Sequence, residues 1–356
     1  MIVNDPTLLS IATGVPENCY RQEEIFEYLQ PYFQRGRHAR VIFAASAVDY
    51  RHLAIGRDFY RQEQSTQDRN EAYLRYAIPL GEATIRRCLS DAGLSPQDIQ
   101  DLFVVSCTGY DIPGLDLHLA GRLCMSPSLQ RTCILGMGCY AAFPALLRAR
   151  QAVAGDPGRT ALVLALELCS LHMQFDDTLE NMVVNSLFAD GAAATIIRQE
   201  NPGGKELSGS IPMPHLVDIS TYCDYQTFQH MAFHLGNNGF QMRLSAYVPQ
   251  VLAANVEIFI DQMLERNGLR RNDVHHWGIH PGGRKILDSI QESLGLGDDQ
   301  LEPSRRVLRD YGNMSSPTIL FVLNEIQQQA QPASGDYGVL MAFGPGLTME
   351  SALLRW

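Results

Sequence analysis

Two similar stretches decide how the chain is organised: GLSPQDIQDLFVV at residues 93–105 and GLRRNDVHHWGIH at residues 268–280. Each begins with Gly-Leu, carries an Asp five residues after the glycine, and ends in an apolar run of strand length. Residue 93 recurs at residue 268, so the offset is 175 residues, close to half of the 356-residue chain. A repeat on this scale predicts two similar structural halves.

The repeat continues beyond this pair. At the same offset, Gly138-Cys139 and the apolar helix that follows match Asn313-Met314 and an apolar helix over residues 318–326. A shift of 177 residues then places the apolar strand 161–166 on residues 338–343. One alternative stays open at this point, namely that βα units resemble one another in any α/β protein. Three matches in one order favour duplication.

Strands and helices alternate along the chain, which is typical of an α/β protein whose sheets are covered by helices. Residues 201–215 are rich in Gly and Pro and form the candidate linker. The sequence therefore predicts an N-terminal half over residues 1–200 and a C-terminal half over residues 201–356, packed about a pseudo-twofold axis.

Composition excludes several classes of protein. With 46% hydrophobic and 19% charged residues the chain is not disordered, and a formal net charge of −11 argues against a broad nucleic-acid surface. The N-terminus lacks the basic and apolar regions of a signal peptide, and no apolar run approaches the ~20 residues that span a bilayer. Eight cysteines without a CxxC pair predict reduced thiols and no metal site. We expect a cytoplasmic protein.

The repeat brings equivalent ends of equivalent elements to the axis, and these positions are Cys139, His280 and Asn313. Cys139 follows Gly136-Met137-Gly138 and opens a helix, where the helix N-terminus should lower the thiol pKa. His280 ends a strand before Pro281-Gly282-Gly283, and Asn313 opens the matching helix. Singly these are a buried cysteine, a satisfied histidine and an N-cap asparagine. Together they predict a cysteine nucleophile with two hydrogen-bond donors.

Five segments carry a family resemblance. They are LGMGCYAAFPALL at 135–147, NSLFADGAAA at 185–194, WGIHPGGRKILD at 277–288, RDYGNMSSPTILFVLNE at 309–325 and MAFGPGLTMES at 341–351. In order and spacing they resemble the type III polyketide synthases, the chalcone synthase-like family, over nearly all of the chain after about residue 46. Ketoacyl synthases share a Cys-His-Asn set but not the FGPG-LTMES ending. The resemblance implies a thiolase-like αβαβα fold built from two duplicated halves.

The resemblance also implies roles for the three candidate residues. Cys139 is similar to the nucleophile that takes a starter acyl group from coenzyme A, and His280 to the residue that keeps it as thiolate. His280 and Asn313 resemble the donors to the malonyl thioester oxygen during decarboxylation. Loss of CO2 leaves an enolate, which such donors stabilise and a carboxylate would oppose. The implied substrates are malonyl-CoA and an acyl-CoA, with no further cofactor, and the implied assembly is a homodimer.

Further positions resemble the walls of the family's substrate cavity. Phe188 and Phe233 resemble aromatic residues between the coenzyme A tunnel and the cavity, although core packing is the ordinary alternative for each. Ile112 matches a residue that reaches across the dimer interface into the partner's cavity. The remaining cavity positions are Cys107, Thr108, Cys169, His172, Met231 and the loop residues Phe343, Gly344 and Pro345.

The coenzyme A contacts are where the chain departs from the family pattern. Members bind the phosphates with basic residues of an N-terminal helix, aligned here near residues 34–45, and the identities do not coincide. Arg37 and Arg40, with Arg35 nearby, and Lys285 after HPGGR are the candidates. Only two of the 28 Lys and Arg residues are lysines, so such a site must be mostly arginine.

Four other functions remain as alternatives. One is a ketoacyl-synthase-III-like condensing enzyme; two weaker ones are a cysteine hydrolase with Cys, His and Asn in papain-like order and a non-catalytic scaffold. The fourth is a dinucleotide site at Gly136-x-Gly138-x-x-Ala141, whose acid Glu167 stands 31 residues on, against about 20 for the usual fingerprint. The sequence predicts a type III polyketide synthase that extends an acyl-CoA starter on Cys139 with malonyl-CoA and cyclises the product to a resorcinol, pyrone or related ring.

Overall fold

The structure is a computed structural model and describes residues 5–199, 212–245 and 247–356. Most of the predicted linker, residues 201–211, lies outside these ranges, as does the predicted boundary between the halves. The division at residue 200 therefore stays a prediction.

The described residues form thirteen strands and ten α-helices. The strands are β1 (Thr7–Gly14), β2 (Asn18–Arg21), β3 (Tyr50–Leu53), β4 (Asp101–Val105), β5 (Gln130–Ile134), β6 (Thr160–Leu168), β7 (Asp190–Arg198), β8 (His215–Cys223), β9 (Met231–Gly236), β10 (Gly239–Leu244), β11 (Val274–Ile279), β12 (Tyr337–Gly344) and β13 (Thr348–Arg355). The helices are α1 (Gln22–Leu29), α2 (Gly36–Ala45), α3 (Thr66–Asp91), α4 (Leu115–Arg122), α5 (Ala142–Gly155), α6 (Leu179–Leu187), α7 (Val248–Arg266), α8 (Arg284–Leu294), α9 (Asp298–Tyr311) and α10 (Thr318–Glu325).

The main sheet shows the duplication directly. Its strand order is β11-β12-β13-β8-β1-β7-β6-β4-β5. In the first half β4 is parallel to β6, and β6, β7 and β1 follow antiparallel; β11, β12, β13 and β8 repeat this pattern in the second half. The halves join where β1 meets β8 at a single residue pair, Thr7 and His215. The predicted repeat of strand–helix–strand units is therefore confirmed, with β5 as an additional edge strand of the first half.

Helices cover both faces of each half-sheet. Strand β6 is buried throughout, with Leu162, Leu164 and Leu166 packed toward α3 and α4, and Ala161 and Val163 toward the interior. Helices α5 and α10 fill that interior between the two half-sheets, and α7 and α8 cover the outer face of the second half. Because parallel strands buried on both faces need helices on both sides, the layers stack as αβαβα. The predicted thiolase-like fold class is confirmed.

Candidate active site

The three candidate catalytic residues line one cavity. It has a volume of about 300 Å³ and lies between the two halves of the molecule. Cys139, His280 and Asn313 are 3%, 1% and 2% exposed. The other residues around it are Phe188, Met231, Met242, Leu244, Gly282, Ile286 and Phe343. The chain thus brings together three polar side chains, which are far apart in sequence, inside an almost entirely apolar wall.

Cys139 lies on a single 3₁₀ turn, Gly138–Tyr140, immediately before α5. Gly138 has a φ of +72°, which favours glycine, and a Cβ there would lie 2.6 Å from Cδ of Pro345. A Cβ on Gly344 would lie 3.2 Å from the backbone nitrogen of Cys139. Of the predicted loop residues, Phe343 lines the cavity, whereas Gly344 and Pro345 pack behind the turn that presents Cys139.

Burial changes the electrostatics that the sequence predicts. It raises the pKa of the Cys139 thiol to about 12, although the Ser315 hydroxyl acts in the opposite direction. Burial also lowers the pKa of His280 to about 3. Burial of both groups therefore acts against the charged thiolate–imidazolium pair and favours the neutral thiol and imidazole. The role of His280 in holding Cys139 as a thiolate stays a prediction.

His280 is fixed by its backbone and free at its ring. Its N–H donates to the carbonyl of Met341 at 2.8 Å, and its carbonyl accepts from Gly282 at 2.9 Å. The ring meets Phe343 edge-on at 6.2 Å. Both ring nitrogens are buried and have no hydrogen-bond partner among the described residues. Since an unsatisfied buried polar group is costly, these nitrogens mark a place for a polar group of a ligand.

Asn313 has its amide oriented by its own loop. Its Oδ1 accepts the Ser315 backbone N–H at 2.8 Å, so the Nδ2 end is the one left for the cavity. Its backbone pairs on both sides of Phe188: the Asn313 N–H donates to Leu187 at 2.8 Å, and its carbonyl accepts from Ala189 at 2.9 Å. The Nδ2 end of Asn313 is thus available as an N–H donor in the cavity that Asn313 and His280 both line.

A second cavity, of about 520 Å³, lies beyond Phe188, which lines both cavities together with Met242. The Phe188 ring stands 6.4 Å from that of Phe233, at an interplanar angle of 89°. The predicted cavity residues Cys107, Thr108, Cys169, His172 and Phe233 all line this second space, and Met231 lines the first.

His172 links two other residues that line the second cavity, Thr108 and Phe240. Its Nε2 bonds to the carbonyl of Thr108 at 2.7 Å, and its Nδ1 accepts the backbone N–H of Phe240 at 3.2 Å. Burial lowers the pKa of His172 to about 4. This histidine is therefore a neutral tie between the N-terminal half and strand β10, with both nitrogens engaged.

A third cavity, of about 360 Å³, adjoins the second through Met173, which lines both. Tyr20, Tyr28 and Tyr60 are among its walls. Only the Met173 side chain is common to the two linings, so this flexible residue separates them.

Glu167 is a residue whose importance the sequence does not reveal. It is fully buried at the end of β6. Ser316 Oγ donates to its Oε1 at 2.6 Å, and Thr108 Oγ1 and the Cys107 N–H donate to its Oε2 at 2.8 and 2.9 Å. Burial raises its pKa. The carboxyl is satisfied inside the protein, so the dinucleotide interpretation loses its ribose-binding acid; the only signal was an acid closing an apolar strand.

The remaining predicted residues lie on the surface. Arg37 and Arg40 are exposed on α2, which packs against α6, and Arg40 lies over the Phe26 ring at 4.8 Å. Lys285 is exposed in the first turn of α8, one residue before the cavity residue Ile286. Ile112 is 78% exposed and lines none of the three cavities.

Two further properties concern the described residues as a whole. None of their helices combines the length and apolar character needed to cross a membrane. No group of three His, Cys, Asp or Glu side chains within residues 5–199, 212–245 and 247–356 is arranged to hold a metal ion.

Comparison with known proteins places the chain in a family. Residues 3–201 match the N-terminal domain of chalcone and stilbene synthases, and residues 222–356 match the C-terminal domain. The chain is 33% identical to a 3,5-dihydroxyphenylacetyl-CoA synthase of Amycolatopsis balhimycina, over 97% of this chain and 92% of the relative. It is also 33% identical to a 1,3,6,8-tetrahydroxynaphthalene synthase of Streptomyces peucetius subsp. caesius, over 98% and 93%.

A solved structure supports the same family assignment. The crystal structure of 1,3,6,8-tetrahydroxynaphthalene synthase from Streptomyces coelicolor A3(2), a bacterial type III polyketide synthase, superposes with a TM-score of 0.91 at 28% identity, covering 98% of this chain and 99% of that one. The duplicated five-layer fold, the buried Cys, His and Asn, and both domain matches lead to one conclusion: this chain belongs to the chalcone and stilbene synthase family and is a type III polyketide synthase.

Proposed function

We propose that Cys139 carries the starter acyl group, that His280 and Asn313 drive decarboxylation of malonyl-CoA, and that the cavity beyond Phe188 holds the growing chain. One observation carries the proposal. A buried thiol shares its cavity with two unpartnered imidazole nitrogens and with the Nδ2 end of Asn313. No other group of polar side chains lines that cavity in the described chain.

Loading begins from two neutral groups. As Cys139 Sγ attacks the thioester carbonyl of the acyl-CoA, its proton passes to a ring nitrogen of His280. The C–S bond to coenzyme A then breaks, and the departing thiolate takes that proton. The imidazole ends neutral, as it began. Burial supports this order, because neither a thiolate nor an imidazolium is favoured in the resting site.

Decarboxylation follows when malonyl-CoA enters. The bond between the carboxylate and the methylene carbon breaks, CO2 leaves, and the electron pair becomes an enolate with its negative charge on the thioester oxygen. The N–H of neutral His280 and the amide of Asn313 donate to that oxygen. The apolar walls favour loss of the malonyl carboxylate's localised charge and strengthen both hydrogen bonds.

Condensation joins the two substrates. The enolate carbon attacks the Cys139 thioester, a C–C bond forms, and the C–S bond to Cys139 breaks to release the Cys139 thiolate, which takes a proton from water to restore the thiol. The chain, now on coenzyme A, passes Phe188 into the larger cavity, where the walls contributed by Cys107, Thr108 and Cys169 limit its length. The names of the relatives, which are synthases of polyhydroxylated aromatic products, support cyclisation to a resorcinol, pyrone or related ring.

Coenzyme A needs positive charge at the cavity mouth. Arg37, Arg40 and Lys285 are exposed on α2 and at the start of α8. Helix α8 contributes Ile286 to the Cys139 cavity, and α2 packs against α6, whose C-cap residue Phe188 also lines it. We propose that these side chains bind its phosphates, and that coenzyme A thioesters are the only cofactor-like molecules the reaction requires.

We also propose a homodimer. Strand β5 is an edge strand whose residues are mostly exposed, and Leu135, just after it, is 45% exposed. An unpaired edge with apolar neighbours is suited to pairing with a second copy, and Ile112 lies exposed for the same role. The free thiols of all eight cysteines support a cytoplasmic location.

The test separates the two steps with radiolabelled malonyl-CoA and a panel of acyl-CoA starters. Cys139→Ala is expected to abolish condensation but to release CO2, whereas Asn313→Ala should slow CO2 release by about 100- to 1,000-fold. Cys88→Ala, a buried thiol in the outer layer, is the control and should keep both activities. Condensed product from Cys139→Ala, or an unchanged decarboxylation rate in Asn313→Ala, would overturn the assignment.

A further inference from the structure

Arg51 is a buried cation that the reaction described above does not use. It lies on β3, is 0% exposed and is among the largest fully buried side chains of the protein. Its Nη1 donates to the carbonyl of Asn185 at 2.7 Å and to that of Phe188 at 2.9 Å. Both acceptors belong to the end of α6, 134 and 137 residues away along the chain.

These two carbonyls occupy the end of a helix. The last carbonyls of an α-helix have no partner within the helix and carry the negative end of its dipole. The Arg51 guanidinium donates hydrogen bonds to these carbonyls and places a positive charge at the negative end of the helix dipole. Phe188 is the C-cap of α6, with an extended backbone at φ −75° and ψ 142°. Arg51 therefore fixes the backbone of the residue whose ring separates the two cavities.

The same side chain packs against the loop that carries Asn313. A Cβ on Gly312, where φ is +75°, would lie 3.0 Å from Cγ of Arg51 and 2.8 Å from the carbonyl of Leu187. Asn313 follows at once and pairs with the backbone on both sides of Phe188. The backbones of Phe188 and Asn313 form an isolated β-bridge, the Phe188–Asn313 bridge. The aliphatic part of Arg51 lies against Gly312 on one side of this bridge, and its guanidinium bonds to the Phe188 carbonyl on the other.

The charge of Arg51 has little direct compensation. Nε and Nη2 have no hydrogen-bond partner in the described chain. Burial lowers its pKa to about 9, and the charge that acts against this is Asp190. The Asp190 carboxylate itself accepts the backbone N–H groups of Ala54 at 2.6 Å and of Ser170 at 2.7 Å. Burying a guanidinium that is not fully hydrogen-bonded is costly, so stability alone does not account for an arginine here.

We propose that Arg51 is a positioning residue for decarboxylation, which holds the Phe188–Asn313 bridge so that the Asn313 amide and the His280 ring converge on one oxygen. The inference rests on the proposed roles of Asn313 and His280. The hydrogen bonds of Arg51 go to the carbonyls of Asn185 and Phe188, and of these two residues only Phe188 lines the Cys139 cavity. We therefore expect its effect on the reaction to run through Phe188 and Asn313.

The experiment is a double-mutant cycle on malonyl-CoA decarboxylation, with kcat and KM measured for the full chain. Arg51→Met keeps the length and removes the donors. It should lower kcat by about 10- to 100-fold with KM within about twofold, because a small misplacement of a donor is enough for such a loss. In an Asn313→Ala background the same change should alter kcat by less than about threefold, since the residue it positions is gone.

Arg69→Met is the matched control. Arg69 is 3% exposed and its Nη1 also donates to two carbonyls, those of Leu171 at 2.7 Å and Met173 at 3.2 Å, neither of which lines the Cys139 cavity. It should lower the melting temperature about as much as Arg51→Met but leave decarboxylation within about threefold. Arg51→Lys, which keeps the charge and fewer donors, should recover part of kcat and serves in the cycle if Arg51→Met does not fold.

Three results would overturn the inference: equal losses of kcat in both backgrounds, an equal loss in Arg69→Met, or an unchanged kcat in Arg51→Met and Arg51→Lys. If instead the proposed role of Asn313 in decarboxylation is wrong, Asn313→Ala alone would leave the decarboxylation rate unchanged, and this result distinguishes the two failures.

Discussion

His280→Gln should change how the stability of the protein depends on pH. Burial lowers the pKa of His280 to about 3, from the 6.5 that is usual for an exposed histidine. Between these values the unfolded chain binds a proton that the native state does not, so acid favours unfolding. Above pH 6.5, His280 is neutral in both the native and the unfolded state and costs no stability; the free energy of unfolding decreases as the pH falls below 6.5. Each pH unit below 6.5 costs about 1.4 kcal/mol of unfolding free energy, so at pH 4.5 His280 should cost the wild type about 3 kcal/mol.

The assay is urea unfolding of both proteins at pH 7.5 and pH 4.5. Other groups titrate in both, and the difference between the two pH dependences isolates His280. The variant should lose about 3 kcal/mol less unfolding free energy than the wild type between pH 7.5 and pH 4.5. His38→Gln, a change of an exposed histidine, controls for loss of an imidazole as such. If wild type and His280→Gln lose the same stability, then burial does not hold His280 neutral, and a mechanism that starts from a neutral imidazole is refuted.

Three other changes have defined outcomes. Met173→Ala should join the second and third cavities and extend the longest acyl-CoA starter that is accepted, as read from product masses. Gly138→Ala forces a side chain into the φ +72° turn and against Pro345, so acylation of Cys139, followed by intact-protein mass, should slow by about 100-fold; an unchanged rate would show that the turn is not critical. Burial raises the pKa of Glu350 to about 7 from 4.5, so Glu350→Gln should stabilise the protein at pH 8.5 by up to about 3 kcal/mol in urea unfolding, with no gain at pH 4.

The sequence was informative where a pattern recurs. The apolar runs at 101–105 and 274–279 recur with the same neighbours, because both halves bury the same faces of the same strands. The boundaries that the sequence predicts for helices were less accurate. The apolar periodicity of the sequence predicts a helix only over residues 75–92, whereas α3 begins at Thr66. There the Ser65 hydroxyl accepts the N–H of Asp68 and caps a polar first turn that has no apolar period.

Long-range contacts explain what the sequence could not predict. Glu167 and Ser316 are 149 residues apart, and Arg51 and Phe188 are 137 apart. In each case the meaning of the polar residue depends on a partner that only the fold supplies. The ionisation of Cys139 is a similar case: the helix start is visible in the sequence, but the burial that outweighs it is not.

Strand β1 has a consequence for synthesis of the protein. Its partner β7 is synthesised about 180 residues later than β1, with Thr13 opposite Ala193. At ~5–20 residues per second the ribosome needs roughly 10 to 40 s to make that partner. During this interval TLLSIATG is an apolar strand with no neighbour, the kind of segment that associates with other chains. We therefore expect the yield of folded enzyme to depend on translation rate and on chaperones that cover the N-terminus more than on the stability of the finished sheet.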